Sequence, residues 1–183
     1  MTICTKCSYD WDAPPEHAVA VIGGFPEHLP RLLLNLGLQD SDGPLRTRPA
    51  AEEWPPLEYM AHTADAIAWH AERINRVLTE NRPTLDPFGW DAHTATHRYD
   101  ERRLTDVLTT IRGTCTSLTA VLKTLPAPAW QQEGTASNGS PRTITHLAAR
   151  AAHEAQHHLR DIAQGLQAPG RAQIRDGTRS QTT

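Results

Sequence analysis

Residues 141–167, PRTITHLAARAAHEAQHHLRDIAQGLQ, decide the fold. At about 100° per residue, Ile144, Leu147, Ala148, Ala151, Ala155, Leu159, Ile162 and Leu166 gather on one side, which predicts a long amphipathic helix opened by Pro141 and ending near Gln167. His158 falls on the apolar side and Glu154 on its flank. His146, Arg150, His153, His157, Arg160 and Gln164 form the opposite stripe, which reads as solvated. The helix thus carries two sets of metal-capable side chains on two faces, and which set faces the core decides its chemistry.

Working outward, three more stripes of the same period appear. Ala18, Val19, Ile22, Phe25, Leu29, Leu32, Leu33 and Leu36 keep three-to-four spacing through residues 16–37, where Gly23-Gly24, Pro26 and Pro30 are expected to kink or divide the helix and Gly37 to cap it. Residues 40–53 read as a connector. A second helix is predicted from Pro55-Pro56 to about Glu80, with Tyr59, His62, Ala66, Trp69 and Val77 on one side, and Asn81-Arg82-Pro83 ends it. Leu104, Leu108, Ile111, Cys115, Leu118, Leu122 and Leu125 make the third stripe, closed by Pro126 and Pro128. A Gly/Ser/Asn-rich turn at 134–140 leads into the fourth. No strand-period segment or internal repeat is evident, so the stripes are expected to bury one another in an all-α four-helix bundle. The organisation read from this is an N-terminal extension at 1–15, a bundle at 16–167 and a loose polar tail at 168–183.

Composition narrows the function classes. A net charge of -3 without a basic block argues against nucleic acid as partner. No apolar run approaches the roughly 18 residues of a membrane span, and the start, Met1 to Cys7, lacks a signal-peptide core, so a cytoplasmic protein without membrane contact is expected. Three cysteines do not make a disulfide framework there. Only Lys6 and Lys123 among the 18 basic residues are lysines, and alanine is abundant, a bias that suggests a GC-rich, actinobacterial genome.

Residues i and i+4 on a helix share a face, so Glu154 and His158 from the last helix, with His62 from the second, can hold one divalent metal and leave a coordination position vacant. A rival reading uses His153-Glu154-Ala155-Gln156-His157, which fits the H-E-x-x-H pattern of zinc hydrolases, with His153 and His157 as ligands and Glu154 as base. That chemistry needs a third ligand, usually downstream; no histidine follows His158 and the only later acids are Asp161 and Asp176. The apolar stripe favours the first set and leaves His153 and His157 near the surface. Without a metal, Glu154 and a histidine would form a buried pair.

The stretches EWPPLEYMAHTAD at 53–65, RVLTENRP at 76–83 and HEAQHHLRDI at 153–162 resemble the DinB-like superfamily of four-helix metalloproteins, over roughly residues 45–167. The usual site of that superfamily is three histidines, one on helix two and two at i, i+4 on helix four. In the branch similar to mycothiol-dependent maleylpyruvate isomerase, a glutamate takes the first helix-four place. The resemblance implies that His62, Glu154 and His158 are the metal ligands and the catalytic centre, and that the protein is a thiol S-transferase or isomerase; a set of two histidines and one carboxylate is well suited to zinc. Its partners would be a small electrophile and a low-molecular-weight thiol, mycothiol in an actinobacterial cell, used in detoxification or natural-product biosynthesis. Similar bundles often pair through their helices, which leaves a homodimer open.

The long connection from Pro83 to about Asp100 is a candidate lid, with Trp90, Asp91, Arg98 and Tyr99 as candidate substrate contacts and Arg98 or Arg102 facing an anionic group. Packing and surface ion pairs would equally account for each of them. His93 and His97 lack a third ligand in view. Cys4-x-x-Cys7 is one half of a zinc knuckle, a second zinc site if His17 or His28 completes it, and otherwise a bundle cap or a redox-sensitive end. Cys115, centred in the third stripe, reads as core. The competing function class is a non-catalytic bundle that binds a small ligand or partner and keeps its metal only to hold helices together.

Overall fold

The computed structural model describes residues 2–38, 43–87, 89, 93 and 96–167. Four long helices, α1 (Pro15–Asn35), α3 (Pro56–Thr79), α4 (Leu104–Lys123) and α5 (Ile144–Gln167), bury their apolar stripes together, and α2 (Gly43–Arg46) is a single turn in the first connection. α5 packs chiefly against α3 and α1, and α4 against the same two from the opposite corner. Chain neighbours α1 and α3, and likewise α4 and α5, therefore sit across diagonals of the bundle. The first apolar stripe is one undivided helix, although Pro26 and Pro30 lie inside it. Each removes a backbone donor, at up to about 3 kcal/mol in a lone helix; burial of Ile22, Phe25, Leu29 and Leu33 on one face offsets that. Gly37, at φ 67°, ends the helix, with Gly37 N–H donating to Leu34 and Leu38 N–H to Leu33.

The expectation of no strands is corrected. β1 (Thr84–Leu85), β2 (Glu133–Ala136) and β3 (Pro141–Thr143) form a small sheet in the order β1-β2-β3, with β1/β2 parallel and β2/β3 antiparallel. Pro141 is consequently the first residue of a strand, and α5 begins three residues later. Strands this short carry no readable alternation. Of the segment read as a turn at 134–140, residues 134–136 belong to β2 and 137–140 form the hairpin turn, with Gly139 at φ 80° and the Asn138 side chain accepting from Ser140 N–H. Gly134 is required for another reason: a Cβ there would sit 2.8 Å from the Pro83 carbonyl and from the Leu85 side chain.

The stripe of α5 read as solvated is corrected in part: His146, Arg150 and Gln164 are exposed, whereas His153, His157 and Arg160 are half-buried. Residues 2–14 fold back over the His153 region, with the Trp11 ring 4.6 Å from that of His153 and the Gln156 side chain donating to the Cys7 carbonyl at 2.9 Å. Tyr9, 1% exposed, belongs to the core. The tail at 168–183 and the lid candidates Trp90 and Asp91 lie outside the described residues.

Candidate metal centre

α3 and α5 pack against each other more extensively than any other pair of elements, and each carries fully buried alanines, Ala61 and Ala64 on the one and Ala151 and Ala155 on the other. This packing brings His62 to the pair projecting from α5. Nε2 of His62 lies 3.7 Å from Oε2 of Glu154, and Nε2 of His158 lies 3.2 Å from the same oxygen. Ligands at roughly 2.0–2.1 Å around a tetrahedral zinc stand about 3.3–3.4 Å apart, so one ion fits among these atoms with little adjustment. All three lie within 4.8 Å of one another. Two imidazoles and a carboxylate fill three positions of four. The His62 residue is 7% exposed, and the Glu154 and His158 side chains 18% and 14%, so the set is sunk in the bundle yet reachable from outside.

The electrostatics favour a cation here. Burial disfavours ionisation of Glu154, yet hydrogen bonds from His158 and His62 outweigh it and hold the carboxyl well below the usual carboxylate range. Burial likewise opposes protonation of His158, and hydrogen bonds to Asp161 and Glu154 overcome that and push it upward. The field that stabilises an imidazolium would stabilise a metal ion in its place. Nδ1 of His158 hydrogen-bonds Oδ2 of Asp161 at 3.0 Å, which fixes the proton on Nδ1 and turns Nε2 toward Glu154. Tyr59 stacks on the His158 ring at 5.3 Å, Trp54 meets His62 edge-on at 5.3 Å, and Tyr99 stands 6.5 Å from His62.

Of the predicted substrate contacts, Tyr99 is thus carried to this aromatic collar by a 3-10 turn (Tyr99–Glu101), where burial and the charge of Asp65 push its phenol pKa up. Arg98 lies at the surface, paired with Glu101. Arg102 bonds Asp65 at 3.0 Å and covers the Tyr99 ring. His93 also bonds Asp65, at 2.9 Å, and stacks on His97. The residues of the H-E-x-x-H pattern divide between two clusters: Glu154 joins His62 and His158, whereas His153 and His157 face Cys4 and Cys7. That corrects the expectation of His17 or His28 beside the thiols; the His17 ring lies against Tyr9. Cys115 is buried, which pushes its thiol pKa up to about 12 and fits a core residue.

Sequence reasoning missed a cationic cavity. It has a volume of about 330 Å³ along the same α3–α5 seam and is lined by Trp69, His70, Arg73, Arg142, His146 and Arg150, among others. Nδ1 of His70 and Nε of Arg73 find no hydrogen-bond partner among the described residues, and Arg73 stacks on Trp69 at 4.2 Å. Burial pushes the His70 pKa down to about 3, so the positive charge at neutral pH comes from the three guanidinium groups. His146 and Arg150 read only as a polar stripe until the fold sets them opposite α3. The cavity begins one helical turn from Glu154, roughly 6 Å along the axis.

A family model of the DinB superfamily matches residues 26–162. The chain belongs to the DinB superfamily. Among solved structures it is similar to YfiT from Bacillus subtilis, described as a probable metal-dependent hydrolase with an unusual four-helix bundle topology, at TM-score 0.73 and 18% identity over 82% of this chain and 85% of that one. No curated protein matches. Among the described residues no helix is long and apolar enough to cross a membrane.

Proposed function

We propose that this DinB-superfamily protein is a zinc-dependent thiol S-transferase or isomerase, with His62, Glu154 and His158 as ligands and a low-molecular-weight thiol, mycothiol in the first instance, as cosubstrate. The observation that carries the reading is the convergence of three ligand atoms on one point reachable from solvent, which leaves a position for a reactant. A divalent ion held there supplies the Lewis acidity that ionises a thiol at neutral pH, against a free pKa of about 8.5. The protein's own groups do the remainder. Asp161 holds the His158 tautomer, and Trp54, Tyr59 and Tyr99 restrict water around the ligands. Arg73, Arg142 and Arg150 attract an anionic part of the substrate or thiol. The thiol would give its proton to solvent on ionisation and the thiolate sulfur would then form a bond to an electrophilic carbon; the carbon would expel its leaving group with the bonding pair, or the addition would be followed by elimination that regenerates the thiolate. The reading of sulfur over water as the nucleophile is supported by Glu154, since the resembled thiol-using branch carries a glutamate in that place. A purely structural ion is disfavoured because the chain offers it only three donors among the described residues, on a side open to solvent.

The test is mass spectrometry of products formed by the zinc-loaded protein from a panel of thiols and electrophiles. Thiol adducts or isomerised product that disappear in His158→Ala and under chelation, with helix content retained, are expected. Hydrolysed product without thiol incorporation would move the reading to a metal-dependent hydrolase. Absence of turnover with any thiol, while the metal stays bound, would leave a binding bundle.

A further inference from the structure

We infer that Cys4, Cys7, His153 and His157 form a second metal site, a closed Cys2His2 centre for zinc that fastens the N-terminal segment to the back of α5. Their ligand atoms lie within 4.8 Å of one another. Sγ of Cys4 stands 3.7 Å from Nδ1 of His157, against the roughly 3.5–3.6 Å expected for a thiolate and an imidazole on one tetrahedral zinc. Thiolate and imidazole are the donors that zinc takes in structural sites, and four of them leave no position for a reactant. This centre therefore differs in kind from the three-ligand set on the other face of the helix, and its existence does not depend on the proposed activity.

The segment is built for this purpose. Cys4 N–H donates to the Tyr9 carbonyl at 2.9 Å, Ser8 N–H to Cys4 at 2.8 Å and Trp11 N–H to Thr2 at 3.0 Å, which ties residues 2–11 into a tight knuckle. Ser8 sits at φ 61°, a left-handed turn that strains a non-glycine residue and needs compensation from its surroundings. The knuckle directs both thiols at α5, where residues i and i+4 present two imidazoles on one face. Trp11 and Tyr9 pack on the His153 ring and hold it in place. A disulfide between Cys4 and Cys7 would leave the paired imidazoles without a role.

The two centres share one carboxylate. Oδ2 of Asp161, which orients His158, also lies 3.6 Å from Nε2 of His157, the nitrogen turned away from Cys4. Filling the knuckle site through Nδ1 fixes the His157 proton on Nε2, where it faces that oxygen.

Elemental analysis of the full chain purified in the presence of zinc tests the site. The parent should hold two equivalents. Cys4→Ser and His157→Ala should each hold about one, and His62→Ala one as well, with far-UV circular dichroism confirming that the bundle persists. Cobalt substitution separates the two sites: a thiolate-to-cobalt charge-transfer band should survive in His62→Ala and vanish in Cys4→Ser. Absence of that band in the parent, unchanged metal content in folded Cys4→Ser, or a Cys4–Cys7 disulfide in protein isolated under reducing conditions would each overturn the inference. Loss of thiol chemistry with both metals still bound would overturn only the proposed function.

Discussion

Asp161 Oδ2 accepts a hydrogen bond from Nδ1 of His158 at 3.0 Å, and through it a carboxylate sets the direction of the His158 nitrogen that faces Glu154. Burial opposes ionisation of Asp161, but its contacts with His158 and His157 prevail and hold it below its ordinary value. Removal of such a partner typically weakens metal binding by about 10–100-fold. Asp161→Asn should therefore lower zinc affinity in a competition titration by that factor while the helical signal is unchanged. An affinity equal to the parent's would mean that packing against Tyr59 alone orients His158.

A second prediction concerns acid. Asp65 bonds His93 and Arg102, which outweigh its burial and depress its pKa. A depressed carboxylate contributes stability that is fully present above its unfolded pKa of about 3.9 and is lost as pH falls through the lower folded value. Asp65→Asn should cost about 1–3 kcal/mol in urea unfolding at pH 7. The gap between variant and parent should close below about pH 4; a gap constant across that range would contradict the ion-pair account.

The cationic cavity predicts a kinetic signature. If the cavity receives the anionic part of a substrate, Arg142→Ala and Arg150→Ala should raise KM for a carboxylate- or phosphate-bearing substrate by about tenfold each, with smaller effects on kcat, as expected of charge bound away from the reacting atoms. Added salt should mimic the effect on the parent. Equal loss with a neutral substrate would show that the arginines act through folding.

Gly134 offers a stability test. Gly134→Ala places a methyl group against a fixed carbonyl oxygen and the Leu85 side chain, and should cost about 1–3 kcal/mol in chemical denaturation. The same change at Gly113, where a Cβ would meet nothing within 4 Å, should be neutral or stabilising, because alanine is the better helix former.

Helix type and face were legible in the sequence because apolar side chains recur at the helical period. That pattern marked α3, α4 and the C-terminal end of α5, and it put His158 on the inward side with Glu154 on its flank, four residues apart as the backbone requires. The strands escaped it because two to four residues hold too few alternations, and Pro141 carried a helix-start signal that the hairpin overrode. Only tertiary structure decided which histidines meet which partners. Periodicity ranks the faces of one helix but says nothing of what docks on the outer one, so His153 and His157 read as solvated until Cys4 and Cys7, about 150 residues away in sequence, were folded onto them. The same holds for the guanidinium groups around His70. A single element specifies its own face locally, whereas a binding site is a relation among several elements, and that relation comes into being only when the apolar stripes pack.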